Sequence, residues 1–239
     1  MSQTTNAKRL PGGTEEQDAV ATIAHELRTP LTSLMGYARM MRHNWEAIDA
    51  GRRADMFDVI EEQGRRILRL VEHLLEAARV GAGMSELRRE PLDVHAIVAA
   101  AVRTVEGLDS HHIRVDVPAG DLDVFGDAMA IEHVLTNLLE NAMKYSPEGS
   151  TVFVVAGDAG AEVRVSVRDQ GSGIATKEIP HVFDRFRRAD DSGAQGVGLG
   201  LYIVRGLVAA HGGRVWLQSP AGVGTTVTFS LPRRSSGPR

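Results

Sequence analysis

Apolar residues recur early in the chain at alternating steps of four and three. From Leu27 the pattern runs through Leu31, Leu34, Ala38, Met41, Trp45 and Ile48, and backwards through Ala24 and Val20. Such spacing is the seam of a heptad-patterned helix, whose apolar positions line one stripe. After the turn signal "DAGRR", a second seam runs Met56, Ile60, Gln63, Ile67, Leu70, Leu74 and Ala77, with Gln63 its polar interruption. The spacing predicts two long helices folded into a hairpin. A lone pair of helices cannot enclose a core, so seams this narrow predict pairing with a second copy into a four-helix bundle. The seam taken alone also fits plain coiled-coil scaffolding.

The glycines of "RVGAGM" end the second helix, and beyond them the period shortens. "IRVDV" (113–117), "TVFVVA" (151–156), "EVRVSVRD" (162–169), "RVWLQS" (214–219) and "TTVTFSL" (225–231) alternate as strands do, with helical stretches between them. The fold class predicted is therefore α+β, an antiparallel helical hairpin followed by an α/β sandwich. The divisions expected are a lead-in at 1–13, the hairpin at 14–81, a linker at 82–90, a second domain at 91–232 and a tail at 233–239.

Composition narrows this picture. The 239 residues are 43% hydrophobic, enough for a buried core. A formal charge of −4 gives no general pull toward nucleic acid or anionic lipid, so no nucleic-acid partner is expected. With no cysteine, disulfides, thiolate metal sites and thiol nucleophiles are excluded, and a reducing compartment, the cytoplasm, is the expected location. "IVAAAV" and "LYIVRGLVAA" fall well short of the roughly 20 apolar residues a spanning helix needs, so no membrane segment is expected. "MSQTTNAKRLPGG" lacks the apolar core of a signal peptide and, like "RRSSGPR", reads as flexible.

The first helix carries the stretch "IAHELRTPL" at 23–31. His25 lies one step, about 100°, off the seam and so faces outward. Histidines at 43, 73, 95, 111, 112, 133 and 181 read as ordinary surface or half-buried residues, whereas His25 has reactive neighbours. A neutral imidazole keeps one ring nitrogen free as a nucleophile and needs a partner on the other to fix its tautomer. Glu26 can accept from that other nitrogen only through a rotamer change or local distortion, because adjacent helical residues point about 100° apart. Pro30 predicts such distortion. A proline inside a helix costs roughly 3 kcal/mol and displaces the carbonyl four residues back, here that of Glu26. Thr29, the residue before proline, is expected to leave helical geometry.

In "IEHVLTNLLENAMKYSPEGS" a helical period gathers His133, Asn137, Glu140, Asn141, Lys144 and Tyr145 on one arc, with Ile131, Leu135, Leu138, Leu139 and Ala142 opposite. A solvated polar face is the bland explanation. Against it, asparagine is a mediocre helix former, an amide oxygen suits Mg²⁺, and a lysine suits phosphates. "VRDQGSGI" ends a strand with Asp169, Gly171 and Gly173, either an ordinary turn or an aspartate placed to accept from an adenine amine. "GVGLGLYIVRGLVAAHGG" sets Gly196, Gly198 and Gly200 at a helix start, where free N–H groups hold phosphate. Neither a P-loop nor a dinucleotide fingerprint is present. Between them "VFDRFRRADDSGAQ" combines Phe183 and Phe186 with Arg185, Arg187 and Arg188, as a charged lid or a surface turn would.

"HELRTPL" resembles the H-box of sensor histidine kinases. The later segments, in their order, resemble the N, G1, F and G2 boxes of the ATP-binding domain of the same kinases, a sandwich of the GHKL (Bergerat) type shared with gyrase, mismatch-repair and heat-shock chaperone ATPases. The resemblance covers about residues 18–231. It implies a homodimeric kinase that uses ATP and Mg²⁺, phosphorylates His25 and passes the phosphoryl group to an aspartate of a response regulator's receiver domain. Glu26 is then the assisting base, and Thr29 orients water when the reaction on the regulator is reversed as a phosphatase. Asn141 is the implied Mg²⁺ ligand, and Asn137, Lys144 and Tyr145 line the nucleotide. Asp169 reads adenine beside Gly171 and Gly173, Arg185 contacts the γ-phosphate, and Gly196, Gly198 and Gly200 frame the phosphates. The chain departs from the family's usual pattern in showing no input domain, so an input domain or partner is expected to be missing. Two rival readings are a nucleotide-switched interaction module and a plain ATPase.

Overall fold

The computed structural model describes residues 13–83, 87–105, 111–120, 122–187, 196–220 and 222–233. Its main division falls between Glu72 and His73. The first unit is the hairpin of α1 (Gly13–Asn44) and most of α2 (Ala50–Gly81). Asp49 starts α2 as its cap, its carboxylate accepting from the Arg52 N–H (3.0 Å), which holds that carboxyl below its ordinary pKa. At the turn the Arg53 guanidinium lies 4.6 Å over the Trp45 ring.

The hairpin buries only part of the heptad seam, together with positions outside it. Ala19, Glu26, Pro30 and Met41 are buried on α1, and Met56 on α2. Seam positions Val20, Leu31 and Trp45 are instead exposed, at 64%, 44% and 47%. Two helices have only one mutual face, so an apolar coat wider than that face leaves its other half in solvent.

Pro30 sits inside a continuous α1, and Thr29 stays helical, contrary to the expectation that it would leave helical geometry. The preference of a residue before proline for extended backbone is local, and the helical turns on both sides override it. Thr29 turns its hydroxyl back onto the His25 carbonyl (3.2 Å), a bond that loosens a helix mildly without breaking it.

The second unit opens with the last turns of α2, where Ala77 is fully buried, Val80 lies against Gly206 and the His73 and His133 rings stack at 5.8 Å. β1 (Glu90–Asp93), α3 (Val94–Val105), β2 (His112–Asp116), β3 (Asp123–Gly126), α4 (Ala128–Tyr145), β4 (Thr151–Asp158), β5 (Glu162–Arg168), α5 (Gly200–Ala210), β6 (Arg214–Gln218) and β7 (Thr226–Pro232) follow. A five-stranded sheet runs β2-β4-β5-β7-β6, with β2 and β4 parallel and the other pairs antiparallel. One face carries Val152, Val154, Val163, Val165, Val167, Phe229 and Leu231, all buried. The apolar sides of the helices supply the facing layer, including Val98 of α3, Leu135 and Leu139 of α4, and Ile203 and Leu207 of α5. The alternation of small β-branched residues facing in and polar residues facing out is what lets one side of the sheet take helices and the other take water.

The strands expected at 113–117, 151–156, 162–169, 214–219 and 225–231 are present with ends shifted by one or two residues. β1 and β3 were not anticipated. "EPLD" and "DVFG" form a two-stranded sheet, Leu92 opposite Val124, with one further bridge from Val124 to Arg233, and four residues rich in Asp, Pro and Gly give no readable alternation.

Candidate functional site

His25 projects from α1 and is exposed, while its neighbour Glu26 is 8% exposed. The carboxylate of Glu26 accepts from the Arg66 guanidinium of α2 at 3.3 Å. No hydrogen bond joins Glu26 to His25 among the described residues, so the expected link between them is not made here. The 100° between successive helical side chains sends the imidazole to solvent and the carboxylate onto the facing helix. Arg66 went unnoticed in the sequence. A readable signal existed: a hairpin folded about residues 45–49 brings Glu26 opposite the residues around 66.

In the second unit α4 starts on Asp127, whose side chain accepts from the Ala130 N–H (3.1 Å). The helix then carries Asn137 and Asn141 one turn apart. Asn137 is only 3% exposed, and its amide donates to the His133 carbonyl (3.0 Å), which leaves its oxygen facing the start of α5. There Gly200 lets the two helices close: a Cβ on it would lie 3.1 Å from the Asn137 Oδ1 and 3.4 Å from the Asn141 Nδ2. No side chain caps α5, so its first-turn N–H groups are not taken by a cap. Gly196 and Gly198, with φ of 143° and 73°, adopt backbone that other residues resist. Gly198 also presses on the backbone of Arg187.

At the far end of α4, Lys144 and Tyr145 are exposed, the ammonium 4.9 Å from the ring centroid. Gly171 packs against the Tyr145 carbonyl, which joins the end of α4 to the turn after β5. Asp169 is buried there, and its Oδ1 accepts from the N–H groups of Gly171 (2.8 Å) and Thr225 (2.9 Å). Burial pushes its carboxyl above the ordinary aspartate pKa, and the two N–H donors pull it partly back. Its other oxygen makes no hydrogen bond among the described residues. Gly173 has φ 78°, and the Ile174 N–H beyond it donates to Ser219 (2.7 Å). Thr225 and Ser219, which brace this turn, lie 45 to 56 residues further along the chain and carry no motif of their own.

Arg185 is exposed and stacks 4.6 Å over Phe186, a residue held at φ 63°, strained for a bulky side chain. Arg187 pairs with Glu178 (3.2 Å). The rest of the expected lid, including Arg188, lies outside the described residues. The structure thus gathers Asn137, Asn141 and Gly200 at one helix crossing and Tyr145, Asp169 and Gly171 at the adjoining turn.

Residues 15–83 match the family described as the His Kinase A (phospho-acceptor) domain, and residues 126–235 match the histidine kinase-, DNA gyrase B- and HSP90-like ATPase family. The sensor histidine kinase WalK of Bacillus subtilis is 36% identical over 226 residues, which are 91% of this chain and 37% of WalK. The chain therefore spans little more than a third of that relative's length. Among solved structures, the mycobacterial sensor histidine kinase MprB superposes with a TM-score of 0.56 at 32% identity, covering 61% of this chain and 98% of MprB. Full-length ShkA in complex with AMPPNP superposes with a TM-score of 0.67 at 29% identity, over 92% of this chain and 47% of ShkA. With the helical hairpin and the ATPase sandwich both matched, this chain belongs to the sensor histidine kinase family.

Proposed function

We propose that the chain catalyses ATP-dependent phosphorylation of His25 and passes the phosphoryl group to an aspartate of a response regulator's receiver domain. The observation that carries this reading is the solvent-exposed imidazole of His25 on the phospho-acceptor helix. An acceptor must be reachable by the terminal phosphate, and a histidine kept in the hairpin's contact stripe would not be. Phosphoryl transfer asks the protein mainly for positioning and charge neutralisation, and an imidazole nucleophile needs no hydroxyl proton removed.

The residues of the second unit fit ATP. The oxygen of buried Asp169 that makes no hydrogen bond among the described residues is an acceptor suited to an exocyclic amine, and the Gly171 N–H holds that carboxylate by its other oxygen. Gly198 and the uncapped start of α5 suit phosphate oxygens, with the exposed Lys144 and Arg185 as cations. No group of three or more His, Cys, Asp or Glu side chains is gathered among the described residues. A Mg²⁺ ion here would lean on the nucleotide's phosphates and take Asn141 as its protein contact, neutralising charge when bound. Asn137 then works by position, its buried amide setting the crossing of α4 and α5.

Glu26 assists as base once its carboxylate turns from Arg66 to the imidazole. To Thr29, exposed one turn after His25, we assign the orienting of water in phosphatase action on the regulator, once its hydroxyl leaves the His25 carbonyl. The homodimer is supported by the apolar side chains the hairpin leaves in solvent, Leu31, Met35, Leu68, Val71 and Leu75. No helix among the described residues is long and apolar enough to cross a membrane, and we place the activity in the cytoplasm, where ATP and receiver domains meet.

Incubation with γ-labelled ATP and Mg²⁺ should give an acid-labile, base-stable phosphoprotein, and His25→Gln should take no label. Label surviving in His25→Gln would move the acceptor elsewhere. Nucleotide binding without label in either form would favour a nucleotide-switched interaction module, and free phosphate without a phosphoprotein a plain ATPase.

A further inference from the structure

The sheet's outward face carries a cleft of about 470 Å³, within the usual range for small-molecule sites. Arg168, Gln218 and Thr226 line it from β5, β6 and β7, and Ser219, Pro220, Val223 and Gly224 wall it. Arg168 lies on this face because Val163, Val165 and Val167 take the helix side of the same strand.

The charge balance of the face singles out Arg168. Arg164 and Arg214 share Glu162, at 3.9 and 3.1 Å. Arg168 makes no ion pair among the described residues; its cross-strand neighbours are Phe153 and Thr226. Its guanidinium stands 5.9 Å from the Phe153 ring centroid. A stacked guanidinium keeps its edge N–H groups available, and that planar fork matches a carboxylate or phosphate. The Thr226 hydroxyl and Gln218 amide add donors, while Pro220 and Val223, the latter 58% exposed, offer an apolar wall.

The wall also reaches through the sheet to Asp169. The Ser219 hydroxyl accepts from the Ile174 N–H (2.7 Å) and is 2.8 Å from the Thr225 hydroxyl. Thr225 and Asp169 exchange backbone bonds with each other's groups, Thr225 N–H to Oδ1 and Asp169 N–H to the Thr225 carbonyl, both at 2.9 Å. The Gly222 N–H donates to the Ser172 carbonyl (2.8 Å), and Gly224, at φ 105°, presses on the Asp169 carbonyl. The wall is thus joined by hydrogen bonds and close contacts to the carboxylate assigned to adenine.

We propose that the cleft is a regulatory site for a small organic anion, a carboxylate or phosphate ester on a compact apolar body, whose occupancy changes nucleotide affinity through Asp169. The coupling rests on Asp169 being a nucleotide contact; the anion site does not.

Benzoate and phenyl phosphate are suitable probes on the full chain. One of them should shift the Arg168 Nε–H resonance saturably, with or without saturating AMPPNP, and its preference over the other identifies the head group. Arg168→Gln should weaken that binding by about tenfold. The AMPPNP Kd should move by about fivefold with the probe in the wild type and not in Arg168→Gln. No saturable shift with either probe, displacement by AMPPNP, or an unaffected Arg168→Gln would overturn the site. Probe binding with an unmoved AMPPNP Kd would overturn the coupling. Asp169→Asn with full AMPPNP affinity would instead sink the nucleotide reading of Asp169 and leave probe binding intact.

Discussion

Gly198 shows how much a single position can be asked to do. Its φ of 73° and its contact with the Arg187 backbone exclude a Cβ for two separate reasons. Left-handed backbone alone costs a non-glycine residue about 1–2 kcal/mol. Gly83 has a similar φ of 64° with open space around it. Gly198→Ala should therefore lower the denaturant midpoint by more than Gly83→Ala, and only the former should weaken AMPPNP binding by calorimetry. His211 is a second such position. Its Nδ1–H donates to the Leu207 carbonyl (2.7 Å), its Nε2 accepts from the Asp127 N–H (3.0 Å), and burial pushes its pKa below the ordinary histidine value. The unfolded chain then takes up a proton near pH 6.5 that the folded chain refuses. This contribution to stability is complete above about pH 6.5 and is lost as pH falls from there through the depressed folded pKa. Thermal melts should show that acid-side slope in the wild type and a flatter one in His211→Gln. No local pattern announces this role, because a helix-ending His-Gly pair looks like any other C-terminus.

At the scale of elements, α1 continues as one helix through the proline that the sequence reads as a point of distortion. Pro30 denies the Glu26 carbonyl its helical donor, yet the helix continues, with the proline ring buried in the hairpin stripe. Pro30→Ala should restore that bond and raise the thermal midpoint, the gain staying below roughly 3 kcal/mol because the buried ring is lost. If the weakened turn lets His25 alternate between two settings, the ratio of autophosphorylation to regulator dephosphorylation should also change. An unchanged ratio in paired assays would refute that role. The helices and main strands were legible because a period of 3.6 or 2 survives averaging over several residues. β1 and β3 were not, because a two-stranded pair of four-residue segments is defined by its partner.

For the molecule as a whole, the exposed apolar side chains of the hairpin decide the expected assembly. Leu68 and Val71 are 63% and 40% exposed on α2, and a charge there does not disturb the stripe that α1 and α2 share. Leu68→Glu with Val71→Glu should sediment as a monomer where the wild type sediments as a dimer, with the helical circular dichroism of the hairpin largely kept. A dimer surviving both changes would place the interface elsewhere.

By itself the sequence determined the two helical seams, the order of the five main strands after them, and the residue types gathered at 25–30, 137–145, 169–173 and 196–200, since all of these are written in near neighbours. Only the tertiary structure decided that Glu26 faces Arg66, that Asn137 lies under Gly200, and that Asp169 is held by Thr225. Each of those contacts joins positions 40 to 63 residues apart. Such a contact depends on how the intervening chain closes, and no local period records that closure.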